Sequence, residues 1–348
     1  MRAAKLFGKG DIRVVDCPRP SIGPGEVLVK IGAAAICGSD LRMIANGYRG
    51  VDAGHPLTLG HEIAGLIEEV GEGVTGFTPG DRVALAPNIG CGRCEACGRG
   101  EGHLCPDYLA FGINNDGGFA EYLRVPSAAV ERGNLFLLDQ KTPFVEAALI
   151  EPASCCLSGQ ERAGVGLGDS VLVVGVGPIG ILHILLGRLS GAKNLYIRDI
   201  SEARMMKCRE LVPECISVKG ENLTEAIMSL TGGRGVDVCI TACPVPAVQA
   251  ESLALMAKNG RVLFFGGLPA GRDEVPLPTN LIHYRQLAIH GSTGSSVAHY
   301  RKTAAFVASG RLPLDGLVSD CFSIDRFTEA VETAKGAQGL KTVITFDL

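Results

Sequence analysis

The sequence predicts an α/β protein in two parts, a doubly wound parallel sheet in its middle and a β-rich part ahead of it. Three observations carry this. From about Ser170, short apolar runs alternate with helix-length segments, and a glycine turn, Gly175-x-Gly177-x-x-Gly180, joins the first run to the first helix. Before that point, short β-branched runs are separated by Gly and Pro turn signals. At 348 residues the chain is also long for a single core.

Taken in order, strands are expected over Glu26–Ile31, Ala64–Val70, Asp81–Leu85 and Phe119–Val125, with turns at Gly23-Pro24-Gly25 and Thr78-Pro79-Gly80-Asp81. Gly90 to Asp107 is a polar, Gly-rich loop with little to bury, so a bound metal would have to stabilise it. The alternating part begins with the strand Val171–Val174 and the apolar helix Ile179–Leu189. The strand Leu195–Asp199, the helix Glu202–Leu211, the strand Val236–Ile240 and a helix over Pro246–Lys258 follow, and the strand Arg261–Phe265 closes on Gly266. A helix over Val297–Ser309 and a closing strand Lys341–Phe346 are expected to return to the first part. The expected domains are therefore 1–155, β-rich; 156–290, the nucleotide-binding sheet; and 291–348, the return.

Hydrophobic residues make up 46% and charged ones 20%, which gives enough apolar surface to bury and no signature of disorder. A formal net charge of −4, with no basic run, leaves no electrostatic footprint for nucleic acid or an anionic membrane. Val171 to Leu189 is the most apolar stretch, but its glycines, Pro178 and His183 suit a strand-turn-helix better than a membrane span. The start of the sequence shows no apolar run of the secretory kind, so a cytoplasmic location is expected. In that compartment the 13 cysteines point to metal binding or reduced core thiols, not disulfides.

Cys91, Cys94, Cys97 and Cys105 form a C-x2-C-x2-C-x7-C run that can fold four thiolates around one ion. Such a closed cage suits structural zinc; an iron–sulfur cluster is the rival, though nothing else in the chain suggests electron carriage. Cys37, His61, Glu62 and Glu151 are far apart in sequence and of mixed type, as an open, working zinc site would require, and Cys37 and His61 are each expected in a Gly-bearing turn between strands. The glycine turn follows an apolar strand and opens a helix, the context of a Rossmann dinucleotide site. Gly175 makes the turn, Gly177 with Pro178 and Ile179 lets a pyrophosphate approach the helix start, and Gly180 lets helix and strand pack closely. Asp199, nineteen residues on, would accept the ribose hydroxyls and repel a 2′-phosphate, favouring NAD over NADP; Arg198 and Arg204 nearby soften that preference.

Cys37-Gly-Ser-Asp40, Gly60-His-Glu62, Gly80-Asp-Arg-Val83, the four-cysteine run, Gly117-Gly-Phe-Ala-Glu-Tyr122, Glu151-Pro152, the glycine turn and Gly266 together resemble the zinc-containing medium-chain alcohol dehydrogenases, almost end to end. The likeness is to their polyol branch, the sorbitol, butanediol and galactitol-phosphate dehydrogenases, because a glutamate stands at Glu151 where classical alcohol dehydrogenases place a cysteine. The resemblance implies a GroES-like catalytic domain beside the Rossmann sheet, two zinc ions per chain, and NAD. It implies that Cys37, His61 and Glu151 hold the working zinc with Glu62 as an exchanging ligand. Ser39 would relay a proton, Asp40 would orient His61, and Gly266 would line the cofactor. The implied reaction passes a hydride from a secondary alcohol of a polyol or sugar alcohol, phosphorylated or not, to the nicotinamide. Amino-alcohol oxidation of the threonine dehydrogenase type and a nucleotide-binding relative without turnover are the alternatives. The implied assembly is a homodimer or homotetramer. One departure is Leu41-Arg42, where many relatives carry a histidine; Arg42 is either solvated or offers a guanidinium to a phosphate or carboxylate.

Overall fold

The computed structural model describes residues 1–336 and 338–348, and these form two compact units, residues 1–154 with 294–348 and residues 155–293. In the first unit a seven-stranded sheet is built around Val27–Ala35, a nine-residue strand in which every residue but Lys30 is buried. On one side it pairs antiparallel with Glu62–Val70, which continues to Arg82–Leu85 and Leu135–Leu137. On the other its last residues, Ala33–Ala35, pair with Lys341–Thr345, which continues to Val318–Ser323, while Val27–Lys30 pairs antiparallel with the seventh strand, Tyr122–Val125. The far end of the chain thus completes the sheet that the first hundred residues begin.

Register in this sheet brings distant residues to one spot. Ala35 stands opposite Glu62 on one side and opposite Val343 on the other, so the residues just past Ala35 run out beside His61 and Lys341. Between Arg82–Leu85 and Tyr122–Val125 the chain makes an excursion through the short helix Glu95–Gly98 and a 3-10 turn at Gly102–Leu104. Its two ends are tied by the antiparallel pair Asn88–Ile89 and Leu109–Ala110. The core beneath is aliphatic, with Phe119 and Phe327 packed edge to face at 5.1 Å between ring centroids.

The second unit is a six-stranded, wholly parallel sheet. Its spatial order is Ile216–Ser217, Asn194–Arg198, Ser170–Val174, Val236–Thr241, Met256–Phe264 and Ala288–Gly291. The two halves diverge from the central strand Ser170–Val174, as in a doubly wound dinucleotide fold. All five of that strand's residues are buried, the near-continuous apolar run that a sheet covered on both faces demands.

Three expectations are corrected. The helix expected over Pro246–Lys258 ends early: Pro246–Ser252 is helical, Leu253–Leu255 is a 3-10 turn, and Met256 already pairs with Val236 at the start of a strand. Leu253, Leu255 and Met256 are buried in either conformation, so hydrophobic pattern could not separate helix from strand there. Cys37 lies in no turn between strands; it is the N-cap of the helix Gly38–Asn46. Cys321, expected as a core thiol, is exposed on the outer strand Val318–Ser323, where the next residue, Phe322, takes the buried face. Among the described residues no helix is long and apolar enough to cross a membrane.

Candidate functional site

The four-cysteine loop gathers its sulfurs as its spacing suggests. The Sγ atoms of Cys91, Cys94, Cys97 and Cys105 all lie within 4.8 Å of one another. A tetrahedral zinc with Zn–S bonds of about 2.3 Å has sulfur–sulfur edges of about 3.8 Å, so the donor set fits that ion with a small contraction. Backbone amides already favour thiolates: Cys91 N–H donates to Cys105 Sγ at 3.3 Å and Cys97 N–H to Cys94 Sγ at 3.5 Å. The Cys91 thiol is pulled down to about 6, first by the Arg93 N–H pointing at its sulfur.

A second donor group is assembled from sequence-distant residues. The ligand atoms of Cys37, His61 and Glu62 lie within 4.8 Å of one another, with His61 and Glu62 buried. Asp40, fully buried, ties the two segments together: its carboxylate accepts Cys37 N–H at 2.8 Å and Gly60 N–H at 3.3 Å. The same carboxylate faces His61 Nδ1 at 3.5 Å, an electrostatic contact longer than an ordinary hydrogen bond. Ser39 Oγ sits 3.4 Å from His61 Nε2. Burial opposes a charge on His61, but Asp40 and Cys37 together raise its pKa well above the usual imidazole range. Glu151 is buried in the first turn of the helix Ile150–Ala163 and is outside the 4.8 Å group, though its charge reaches the neighbouring Lys341.

Lys341 is the site residue that sequence reasoning did not find. It opens the closing strand, is 5% exposed, and its ammonium donates to both oxygens of Glu62, one at 2.6 Å, and to Ile36 O at 3.3 Å. Burial disfavours its charge, and the Glu62, Cys37 and Glu151 charges more than restore it, so its pKa rises. The Glu62 carboxylate is therefore neutralised by a cation from 279 residues away. A lysine opening an otherwise buried strand was a visible signal; its partner was not.

The glycine turn stands where the fingerprint requires it. Gly177 is the N-cap and Pro178 the first residue of the helix Pro178–Leu189, which also holds Ile179 and Gly180. A Cβ on Gly180 would fall 1.9 Å from Gly175 O, whereas a Cβ on Gly177 would meet nothing within 4 Å among the described residues beyond its own chain neighbours. Asp199 follows the strand Asn194–Arg198 and accepts Val176 N–H at 2.7 Å and Ser201 N–H at 2.8 Å, so it links the glycine turn to the second strand. The capping of the helix Glu202–Leu211 falls to Ser201, whose Oγ accepts Arg204 N–H. Gly266 follows the strand Met256–Phe264 and donates its N–H to Thr241 O at 2.8 Å.

Comparison with known proteins agrees with this chemistry. Residues 23–132 match the alcohol dehydrogenase GroES-like domain and residues 178–309 the zinc-binding dehydrogenase domain. Sorbitol dehydrogenase of Bacillus subtilis strain 168 is 33% identical over 96% of this chain and 93% of its own. L-threonine 3-dehydrogenase of Pyrococcus furiosus is 34% identical over 94% and 93%. Among solved structures, a protein from Sinorhizobium meliloti 1021 assigned to the zinc-binding dehydrogenases and bound to NADP is 31% identical, with a TM-score of 0.88 and 99% of both chains covered. An Escherichia coli CFT073 alcohol dehydrogenase complexed with NADH is 26% identical, again with a TM-score of 0.88 and 99% of both chains covered. Two donor groups that fit zinc, a dinucleotide turn and relatives matched along nearly their whole length lead to one conclusion: the chain belongs to the zinc-containing medium-chain alcohol dehydrogenase family, with relatives in its polyol branch.

Proposed function

We propose that this enzyme oxidises a secondary alcohol of a polyol or sugar alcohol, with NAD as the hydride acceptor. The observation that carries the reading is the convergence of Cys37, His61 and Glu62 within 4.8 Å at the ends of paired strands. We assign the metal chemistry to residues 1–155 with 291–348, and cofactor binding to residues 156–290. Cys37, His61 and Glu151 would hold a zinc ion, which when bound would supply the Lewis acidity that lowers the pKa of an alcohol hydroxyl. The chain's own groups do the rest: Ser39 Oγ, beside the imidazole, accepts and passes on the hydroxyl proton, and Asp40 fixes the loop that carries His61. In this reading Glu62 would be available as a further ligand only if released from the Lys341 ammonium that holds it. Glu151, where classical family members place a cysteine, favours a polyol. The likeness to L-threonine 3-dehydrogenase keeps amino alcohols as the second reading.

The test is NAD reduction across polyols, sugar phosphates and amino alcohols, with and without a chelator. Polyol turnover abolished by the chelator is expected, and turnover of amino alcohols alone overturns the polyol assignment. Asp199→Ala is expected to narrow the preference for NAD over NADP by about tenfold or more, roughly 1.4 kcal/mol. A homo-oligomer is part of this reading; a monomer by light scattering at micromolar concentration removes it.

A further inference from the structure

The four-cysteine loop is held from outside itself. Arg132 ends the short helix Ser127–Glu131 and donates through Nη1 to Ala128 O at 2.9 Å. Through Nη2 it donates to the carbonyl of Cys91, the loop's first cysteine, at 2.7 Å. Its guanidinium packs close against Gly92, where a Cβ would meet Nη2 at 2.7 Å and Nε at 2.9 Å, and where φ is +77°. Nε is buried and without a hydrogen-bond partner among the described residues, so packing, not a third bond, fixes the plane of the group. Two residues on, Asn134 is fully buried, and its side-chain Nδ2 donates to Ala86 O and Asn88 O, both at 2.8 Å, while its backbone carbonyl accepts Ala86 N–H at 2.8 Å. The strand that leads into the loop is thus pinned at residues 86, 88 and 91 by a single three-residue segment, 132–134.

This arrangement has a chemical consequence. Four thiolates around a divalent cation carry two net negative charges, and the loop has little apolar surface with which to hold a shape of its own. A guanidinium bonded to the first ligand's carbonyl supplies both a fixed register and a nearby positive charge. We propose that Arg132 is a positioning residue for the four-cysteine metal site, holding Cys91 in its ligating position and setting how slowly the ion leaves. The proposal rests on the reading of these four cysteines as a zinc site.

The test uses the full chain loaded with zinc. Metal content is measured first, and then the time course of zinc transfer to a chromophoric chelator, with Cys94→Ser identifying the phase that belongs to the four-cysteine loop. Arg132→Met is expected to speed that phase about 10-fold or more and to leave the other zinc's phase unchanged. Arg132→Lys, which keeps the charge but not the forked donor geometry, is expected to fall between the two, and it carries the test alone if Arg132→Met does not fold. A phase that stays within about twofold of the wild type in the variant overturns the proposal, even if the melting temperature falls, because Arg132 would then only cap its helix. Wild-type protein that lacks the phase altogether overturns the zinc reading and the proposal with it.

Discussion

His61 and His183 are both buried, and their surroundings push them in opposite directions. His61 faces the Asp40 carboxylate at 3.5 Å and shares its space with Cys37, and its pKa is raised despite burial. His183 is fully buried against the Phe265 ring, at 4.6 Å between centroids, and against the Gln160 amide, whose Nε2 donates to the His183 carbonyl at 2.6 Å. With no counter-charge in reach among the described residues, burial drives its pKa down to about 3. The same side chain at the same depth is in one place part of a charged donor group and in the other a neutral piece of the core. What separates them is the company of a thiol and a carboxylate, not accessibility.

The largest effect should come from removing each ring in turn. His61→Ala is expected to release one zinc per chain and lower kcat/KM by about 10³-fold or more, the several kcal/mol that a Lewis acid contributes. His183→Gln should leave turnover near the wild-type value, and comparable losses in the two variants would erase the contrast. A second, smaller effect isolates the charge balance around the first histidine. Lys341→Met leaves Glu62 buried without its cation and is expected to cost about 3–5 kcal/mol in denaturant unfolding, whereas Lys341→Arg should recover most of it. If the methionine variant is as stable as the wild type, the pair does not neutralise the site. The smallest effect is a dependence on pH. Above about 6.5, His183 is neutral in both the folded and unfolded chain; below it the unfolded chain binds a proton that the folded one refuses until about pH 3. Stability should therefore fall with acid across that window, with a contribution of up to about 1.4 kcal/mol per pH unit. The His183→Gln variant should lose that part of the slope, as urea midpoints at pH 7 and pH 5 would reveal.

Much of this fold could be read in advance, and the misreadings have physical causes. Gly175, Gly177 and Gly180 announced the parallel sheet because a dinucleotide turn constrains three positions at once. The edge strand Ala288–Gly291 was not anticipated: none of its residues is deeply buried, so it carries little pattern. The run past Leu255 reads as helix in the sequence because Leu253 and Met256 are apolar in any conformation, and only pairing with Val236 makes Met256 a strand residue. At the candidate site, Cys37, His61 and Glu62 stood out by chemical type. Lys341 did not, because its role exists only through the register of Val343 against Ala35. Arg132 was silent for a similar reason, being one arginine among many until its contact with the Cys91 carbonyl is seen.

The contribution of Lys341 also bears on biosynthesis. While the ribosome is still making the second unit, Val27–Ala35 has Glu62–Val70 and Tyr122–Val125 available to it, but Ala33–Ala35 lacks its partner Lys341–Thr345, and the Glu62 carboxylate has no ammonium to meet. The emerging amino-terminal portion must wait, with part of one sheet border open and an unneutralised acid, for a segment translated nearly three hundred codons later. Truncation or premature termination before Lys341 should therefore yield a sticky, unfinished polypeptide, a natural client for chaperones.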